Sequence, residues 1–507
     1  MRLTIRFVAR MVFTCLLVVT VQRLEGQVPD NIVPGMSGAK ISRSIFQAER
    51  DNAARLRPYS PIVEMYIQSL WPDSPAQMPL DDMYSLQKVR LSNFLAQDKG
   101  RWAELVGGSK GWSLLQDNGQ RVKLDPLGFA SLAFLDLKNF DSDTYRLAYI
   151  APAKLGTVDC LMLSVLPMKV KGTMRFRGTI WVESRGFRII RINGTFQAPR
   201  NSFAQRISHF HSDCWRVEIA DGLWVPTYVF VDDSVPWKAK GSNGLAHLHI
   251  KARISLWGYG QGDSFQYARS GMLKDESDSP GELVGLEADR LIAPIGNVEQ
   301  SLNAILGEVS RGTGFESSTS SCRLLLTAPL ELFHVRDTIV LSRGLLEMIP
   351  DAATLKGLLL YELAHVNVDA SVKMPFEYTQ SLFTTFPSAR FAGLGIPQNR
   401  ESETKAAALL RGILEDNQYA PYLEKASMFL AQLRLIAPQI PNLTKSRFGP
   451  DLLEADLPVL DLHSTASFAQ QSEKKATLTL RTRYFVDAST GELETINSQQ
   501  SAKGSLF

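Results

Sequence analysis

The sequence predicts an α+β protein in which an antiparallel β half-barrel domain is followed by a mainly helical domain. Residues 121–260 alternate between polar and apolar side chains with a period of two, whereas apolar residues over 286–440 recur at helical spacing. Between them, residues 261–285 are polar and rich in Gly, Ser and Asp, which predicts a linker. A polar tail with a hairpin is predicted over 441–507. The 507 residues, 45% of them hydrophobic, are enough for about three folding units.

Residues 1–26 are predicted to be a secretory signal peptide. Arg2, Arg6 and Arg10 precede the apolar stretch 11–21, which is too short to span a bilayer. Without this segment, which holds four arginines and one glutamate, the chain carries 51 residues of each charge. A neutral chain has no global field that attracts nucleic acid, so nucleic acid is excluded as a partner. No later apolar run is long enough for a transmembrane helix. We therefore expect an exported protein of the periplasm or extracellular space.

Residues 27–120 are predicted to form a helical N-terminal region. One helical stretch is SIFQAERDNAARL, and a second is SPIVEMYIQSLW, in which Ile62, Met65, Tyr66 and Leu70 recur at helical spacing.

The half-barrel prediction rests on strands with one apolar face. In MRFRGTIWVESRGFRIIRINGTF, Phe176, Ile180 and Val182 share a face, and a turn at 184–186 leads into a second alternating run. Further strands follow in CWRVEIADGLWVPTYVFVDDS and HLHIKARISLWGYG. The pattern is typical of an antiparallel meander with one solvated face.

Three cysteines follow the predicted signal peptide: Cys160, Cys214 and Cys322. An odd number permits at most one internal disulfide, and Cys160 with Cys214 is the expected pair because both lie in the β-rich region. Three buried thiols are the alternative.

The segment with the most chemical content is a predicted apolar helix beginning at Pro350 and Asp351. Tyr361 and His365 lie four residues apart on one face of it, and Glu362 lies beside them. This is the layout of H-E-x-x-H, in which two histidines hold zinc and the glutamate acts as base toward the metal-bound water. Here the first position is a tyrosine.

The surroundings of this motif resemble those of the HtpX-like and CAAX-prenyl-protease-like zinc metallopeptidases. TIVLSRGLLEMI precedes the motif, and Glu401-Ser-Glu403 follows on a later helix with Ala406, Leu409 and Leu410 in register. The resemblance implies a zincin-like metallopeptidase domain over 286–440. It also implies the roles of five residues: Glu362 as the catalytic base, His365 and Glu401 as metal ligands, and Asp369 and Glu403 as supports for the ligands.

Tyr361 is where the chain departs from this family. A phenol has an ordinary pKa near 10 and must lose its proton to bind a metal, so zinc is expected to bind weakly or not at all. The chain is predicted to be an impaired or inactive exported metallopeptidase homologue that keeps a groove for peptide or for unfolded or envelope protein. One alternative is an active zinc endopeptidase in which Tyr361 or another residue is the third ligand.

The β-rich region has a resemblance of its own. GTIWVESRGFRIIRINGTF is similar to a strand pair of the LolA-like lipoprotein carriers, which are exported half-barrels whose concave face accepts acyl chains. This resemblance implies a carrier for lipid or lipoprotein, and a stabilising sheet without a ligand is the alternative.

Two histidine pairs, His209 with His211 and His247 with His249, each place two imidazoles on one strand face. If their strands were neighbours, the four rings could hold zinc or copper. We favour histidines on the polar face of the sheet, because the spacing does not show that the strands adjoin.

Overall fold

The computed structural model describes most of the chain between Gln27 and Thr495. The described residues are 27–71, 79–95, 112–115, 121–124, 126–135, 139–168, 175–197, 210–232, 250–261, 264–265, 283, 286–287, 289–311, 313, 315, 320–369, 400–414, 418–455, 457, 484–488 and 490–495. The predicted signal peptide and most of the predicted linker lie outside them.

The helices are α1 Gly38–Leu56, α2 Ser92–Leu95, α3 Pro126–Ala130, α4 Asn297–Ser310, α5 Arg343–Met348, α6 Ala352–Asp369, α7 Arg400–Leu414, α8 Ala420–Ile436 and α9 Pro441–Thr444. Short 3₁₀ turns span Ser131–Ala133, Ala437–Gln439 and Leu452–Glu454.

The strands are β1 Ile62–Leu70, β2 Pro79–Lys88, β3 Trp112–Leu115, β4 Arg121–Leu124, β5 Tyr145–Leu155, β6 Val158–Pro167, β7 Arg175–Glu183, β8 Ile189–Gln197, β9 Phe210–Ala220, β10 Leu223–Asp232, β11 Ile250–Trp257, β12 Gly260–Gln261, β13 Ser264–Phe265, β14 Ser321–Leu325, β15 Leu332–Val335, β16 Thr338–Ser342, β17 Tyr484–Val486 and β18 Leu493–Thr495.

Nine strands form one large sheet in the order β2-β1-β11-β10-β9-β8-β7-β6-β5, and every neighbouring pair is antiparallel. Its edge strands β2 and β5 do not pair with each other, so the sheet is open. The structure therefore confirms the α+β class and the antiparallel sheet. The zincin-like character of the second domain stays a prediction.

Residues 62–70 correct one prediction, because they form strand β1 and not a helix. β1 lies between β2 and β11, and all nine of its residues are buried. In this segment Val63, Met65 and Ile67 alternate with the more polar residues at 64, 66 and 68, so a period of two is present beside the helical spacing, and pairing with β2 and β11 decides between the two patterns. The sheet thus takes two strands from the region predicted to be helical.

Helix α1 covers one face of the large sheet, the α1 face. Ser37 caps the helix by accepting a hydrogen bond from the Lys40 amide at 3.3 Å. The Glu49 carboxylate accepts bonds of 2.7 and 2.8 Å from both terminal nitrogens of Arg216 on β9, and this pair is buried. Asn52 bonds the main chain of Trp224 in both directions, at 2.8 and 2.9 Å. These bonds fix α1 on the sheet.

The second domain packs on the opposite face of the sheet. It combines helices α4, α6 and α8 with the three-stranded sheet β14-β16-β15. Its core is continuous with Tyr66, Tyr84, Phe230 and Trp257 of the large sheet. No helix in the described ranges combines the length and apolar character needed to cross a membrane.

The cysteines are buried free thiols, so the expected disulfide between Cys160 and Cys214 is wrong. Cys214 packs in the core beneath α1, whereas Cys160 packs with Trp181 and Trp224 in a separate cluster. The strand register places these two cysteines on opposite faces of the sheet, where their sulfurs cannot meet.

Candidate functional site

Helix α6 presents the predicted motif from a buried position between α7 and α8. Asp351 begins the helix by accepting bonds of 2.8 and 2.9 Å from the amide and hydroxyl of Thr354. Gly357 permits close packing on α8, since a Cβ there would lie 2.0 Å from the Tyr422 carbonyl oxygen. This packing fixes the rotation of α6 and hence the direction of Tyr361, Glu362 and His365.

Tyr361 and His365 face Glu403 of α7. The Tyr361 hydroxyl donates to Glu403 Oε1 at 3.0 Å, and His365 Nε2 lies 3.6 Å from Glu403 Oε2. The two aromatic rings meet edge to face with centroids 4.7 Å apart. The structure therefore brings together three residues that the sequence analysis placed at one site.

Glu362 has a partner that the sequence analysis left out. Its Oε1 lies 2.7 Å from Nδ1 of His334 on β15, and both side chains are mostly buried. His334 is 28 positions away in the chain and no motif includes it, so only the packing of β15 against α6 reveals the pair.

Glu401, the predicted metal ligand, lies apart from this cluster. Its side chain is 72% exposed and is bonded at 2.8 Å to Lys405, and that bond lowers the pKa of the carboxyl. Two positions on a helix differ by about 200° in direction, so Glu403 and Glu401 cannot share a face. The structure thus places Glu403 where the resemblance placed Glu401. The side chain of Asp369 lies outside the described residues.

The described residues do not fit a catalytic zinc ion. Such an ion needs three protein ligands and an open position. Among the described residues, no group of three or more His, Cys, Asp or Glu side chains is arranged to hold a metal. The Tyr361 proton is donated to Glu403, and Glu362 is engaged by His334. No catalytic step through zinc follows from this geometry, and weak zinc binding stays a prediction.

Of the two histidine pairs, only His211 lies within the described residues, and burial lowers its pKa. His209, His247 and His249 lie outside them, so a shared metal site stays untested.

A cavity of about 320 Å³ opens on the face of the large sheet opposite α1. We call it the sheet cavity. It lies between the β5–β6 turn, the start of β8, the β9–β10 hairpin and the C-terminal hairpin. Its walls are mainly apolar and aromatic, and the lining residues are Leu155, Gly156, Thr157, Val158, Ile190, Trp215, Arg216, Val217, Glu218, Trp224, Thr227, Tyr228 and Asp487.

The indole of Trp215 is held in place by its neighbours. The Arg191 guanidinium lies between Trp181 and Trp215, 4.5 and 4.2 Å from their ring centroids, and it bonds both carboxylate oxygens of Asp213 at 2.9 and 2.7 Å. Cation–π contacts of this kind are directional, so one wall of the sheet cavity is fixed before any ligand binds.

Three donors on residues that line the sheet cavity have no partner among the described residues. One is Nε of Arg216, on a guanidinium whose terminal nitrogens bond Glu49 on the α1 face, and the other two are Nε1 of Trp224 and the hydroxyl of Tyr228, whose residues are 7% and 5% exposed. A buried polar group without a partner costs about 1–3 kcal/mol, so such groups are rare unless something binds them. Burial also raises the pKa of Tyr228, which keeps the phenol neutral and able to donate.

The ionisable groups at the sheet cavity have protein partners. The Glu218 carboxylate accepts from the Gly222 amide at 2.7 Å, and Asp487 accepts from the Thr490 amide at 3.2 Å. Both terminal nitrogens of Arg216 are directed to Glu49 on the α1 face. The sequence analysis missed this site, although Trp215 and Trp224 flank one tight turn and could have indicated it.

No protein-family model matches this chain, and no curated protein matches it. Among solved structures, it is similar to a domain described as belonging to an outer membrane lipoprotein-sorting protein of Vibrio parahaemolyticus, at 10% identity and a TM-score of 0.23 over 46% of this chain and 95% of that one. It is also similar to a DUF1329 family protein of Desulfovibrio piger, at 14% identity and a TM-score of 0.20 over 44% and 95%. Neither is described as a peptidase. TM-scores this low do not establish a shared fold.

Proposed function

We propose that this protein is exported and binds the acyl chain of a lipid or lipoprotein in the sheet cavity. The observation that carries this proposal is the mainly apolar cavity of about 320 Å³ with two indoles in its walls. Small-molecule sites in proteins measure roughly 300–1,000 Å³ and combine apolar walls with a few polar groups. The sheet cavity lies at the lower end of this range, which suits part of an acyl chain.

As far as the described residues extend, the opposite face of the sheet is filled by α1 and by the segment 126–135. Ile41, Ile45 and Leu56 of α1 are fully buried there, together with Phe129 and Phe134 of the following segment. A packed core has no room for a ligand of this size. The acyl chain is therefore assigned to the face opposite α1.

Binding without chemistry is the role that the lining residues support. Of the polar groups in this lining, the Thr227 hydroxyl donates to the Val486 carbonyl, and the Glu218 and Asp487 carboxylates accept from backbone amides, so these groups are engaged within the protein.

The test is displacement of a fluorescent acyl probe from the purified exported protein. Leu155→Arg places a charge at the cavity rim and is expected to weaken probe binding at least about tenfold, because a buried unpaired charge is costly. Ile150→Arg is the matched control, since Ile150 lies on the same strand, is 47% exposed and does not line the cavity. Equal binding by both variants would contradict the proposal, as would the absence of any probe binding.

A second candidate is a peptide-binding metallopeptidase homologue without hydrolytic activity, centred on α6 and α7. It is favoured by the bonds from Tyr361 to Glu403 and from His334 to Glu362, which engage groups that a zinc enzyme would keep for metal and water. Metal analysis is its test: purified protein should hold far less than one zinc per chain, and Tyr361→His should raise that content. Chelator-sensitive cleavage of an unfolded protein would instead support the active alternative.

A further inference from the structure

We infer that the ligand of the sheet cavity is a neutral acyl ester or amide whose carbonyl oxygen accepts hydrogen bonds from Trp224 and Tyr228. This inference rests on the proposed function and adds to it the polar group that the site recognises.

The first step concerns the two donors. Trp224 Nε1 can only donate, and the Tyr228 hydroxyl donates while its phenol is neutral. Both side chains are more than nine-tenths buried, both residues line the cavity, and neither donor has a partner among the described residues. A carbonyl oxygen has two lone pairs, so an ester or amide oxygen can accept a hydrogen bond from either donor and has the capacity for both.

A β-bulge lies on β10 between Trp224 and Tyr228, the two residues that line the cavity with their donors. The pairing of β9 with β10 shifts between Pro226 and Tyr228, so that Thr227 is the extra residue of a bulge. The Thr227 hydroxyl donates to the Val486 carbonyl of the C-terminal hairpin. Bulges bend a strand and redirect its side chains, and this one is fixed by that hairpin.

The charged residues around the sheet cavity favour an uncharged ligand. The lining contains two carboxylates, Glu218 and Asp487, and one cation, Arg216, whose terminal nitrogens bond Glu49 on the other face. The other cations beside the cavity, Arg191 at Trp215 and Arg253 near Tyr228, bond Asp213 and Glu347. A fatty-acid carboxylate would therefore meet like charges and only cations that already have a carboxylate partner. An uncharged ester or amide meets two donors at no such cost.

The experiment compares four competitors of equal chain length against one fluorescent probe: an alkane, a methyl ester, an N-methyl amide and the free acid. At pH 8 the ester and the amide are expected to bind about tenfold more tightly than the alkane, as one or two hydrogen bonds permit. The free acid should bind more weakly than either. A preference for the ester over the amide, or the reverse, would distinguish a glycerolipid from an acylated amine as the source.

Two variants locate the effect. Tyr228→Phe and Trp224→Phe each remove one donor and keep an aromatic ring, so each should reduce the preference for ester over alkane about three- to tenfold. The affinity of each variant for the alkane is the reference, because an alkane accepts no hydrogen bond and its binding depends only on the shape of the cavity.

The outcomes separate this inference from the proposed function. If no competitor displaces the probe specifically, the proposed function is wrong. If the ester and the alkane bind equally, the cavity binds acyl chains without recognising a carbonyl group, and the inference is overturned. The same holds if both variants weaken the binding of ester and alkane to the same extent. A free acid that binds more tightly than the ester would also overturn it.

Discussion

The two ends of one sheet face differ in what satisfies their buried polar groups. The strand register carries this face from Glu64 on β1 through Ser255 and Tyr228 to Trp215 and Arg191. We call the part on β2, β1 and β11 the covered half, because the second domain packs on it. The part on β8, β9 and the start of β10 is the open half, which holds the sheet cavity. Farther along β10, Tyr228 and Phe230 also pack in the core shared with the second domain.

In the covered half, protein groups complete the hydrogen bonds. The Glu64 carboxylate accepts from the Ala328 amide at 2.6 Å, from the Tyr84 hydroxyl at 2.9 Å and from the Arg343 guanidinium. Asp82 accepts from the Asn442 side chain at 2.8 Å and from its amide at 3.1 Å. In the open half, Trp224 and Tyr228 keep donors without acceptors. The contrast teaches that the second domain supplies acceptors and counter-ions at one end of this face, whereas at the other end Trp224 and Tyr228 have donors that the proposed ligand would satisfy.

The largest effect is expected from breaking an ion pair of the covered half. Arg343→Met leaves the Glu64 carboxylate, which is 2% exposed, without its counter-ion. Removing one partner of a buried pair typically costs about 3–5 kcal/mol in the free energy of unfolding. Urea denaturation measures this loss, and Arg57→Met at an exposed position is the control, expected to change stability by less than about 0.5 kcal/mol. A loss no larger than that of the control would mean that the second domain is not anchored through this pair.

The next effect is a pH dependence that arises at Asp82. Burial raises the pKa of this carboxyl to about 6 from an ordinary value of 3.8. A raised pKa contributes stability that is fully present below the ordinary value and is lost as pH rises through about 6. Between pH 4 and pH 7, the free energy of unfolding of the parent protein should therefore fall by about 2–3 kcal/mol relative to that of Asp82→Asn. This follows from roughly 1.4 kcal/mol per unit of pKa shift. Urea denaturation at several pH values measures this difference. If the free energy of unfolding changes with pH in the same way for both proteins, Asp82 does not titrate between pH 4 and pH 7.

The smallest effect compares two buried tyrosines without ligand. The Tyr259 hydroxyl donates to the Pro226 carbonyl, so Tyr259→Phe should cost about 1–2 kcal/mol by leaving that oxygen unpaired. The Tyr228 hydroxyl has no partner among the described residues, so Tyr228→Phe should be neutral or slightly stabilising. Thermal unfolding of both variants against the parent protein measures the difference. Equal losses would show that Tyr228 already has a partner in the folded protein, and the open half would then need no ligand.

Part of the fold could be predicted from local pattern. The alternation of β7 and β8 and the amphipathic character of α1 are visible in the sequence, because each element has one buried face. β1 could not be assigned from its sequence, because its apolar residues fit both a helical spacing and a period of two. β1 pairs with β2 and β11, and β11 is distant in the chain, so the spacing of residues along the sequence does not predict this pairing.

The candidate sites show the same limit. Spacing predicted that Tyr361, Glu362 and His365 lie close together, because one helix carries all three. It could not choose between Glu401 and Glu403, nor find His334, since those choices depend on how α7 and β15 pack against α6. The sheet cavity draws its walls from four separate segments, and no local motif describes it.

The sequence by itself therefore determined which residues are helical or extended where a single face is buried, and which neighbours along one helix face the same way. Only the tertiary structure decided that α1 fills one face of the sheet, that the second domain covers part of the other, and that the donors of Trp224 and Tyr228 have no acceptor among the described residues. The physical reason is that hydrogen-bond satisfaction is a property of groups brought together from distant positions, and the chain order of those groups does not record it.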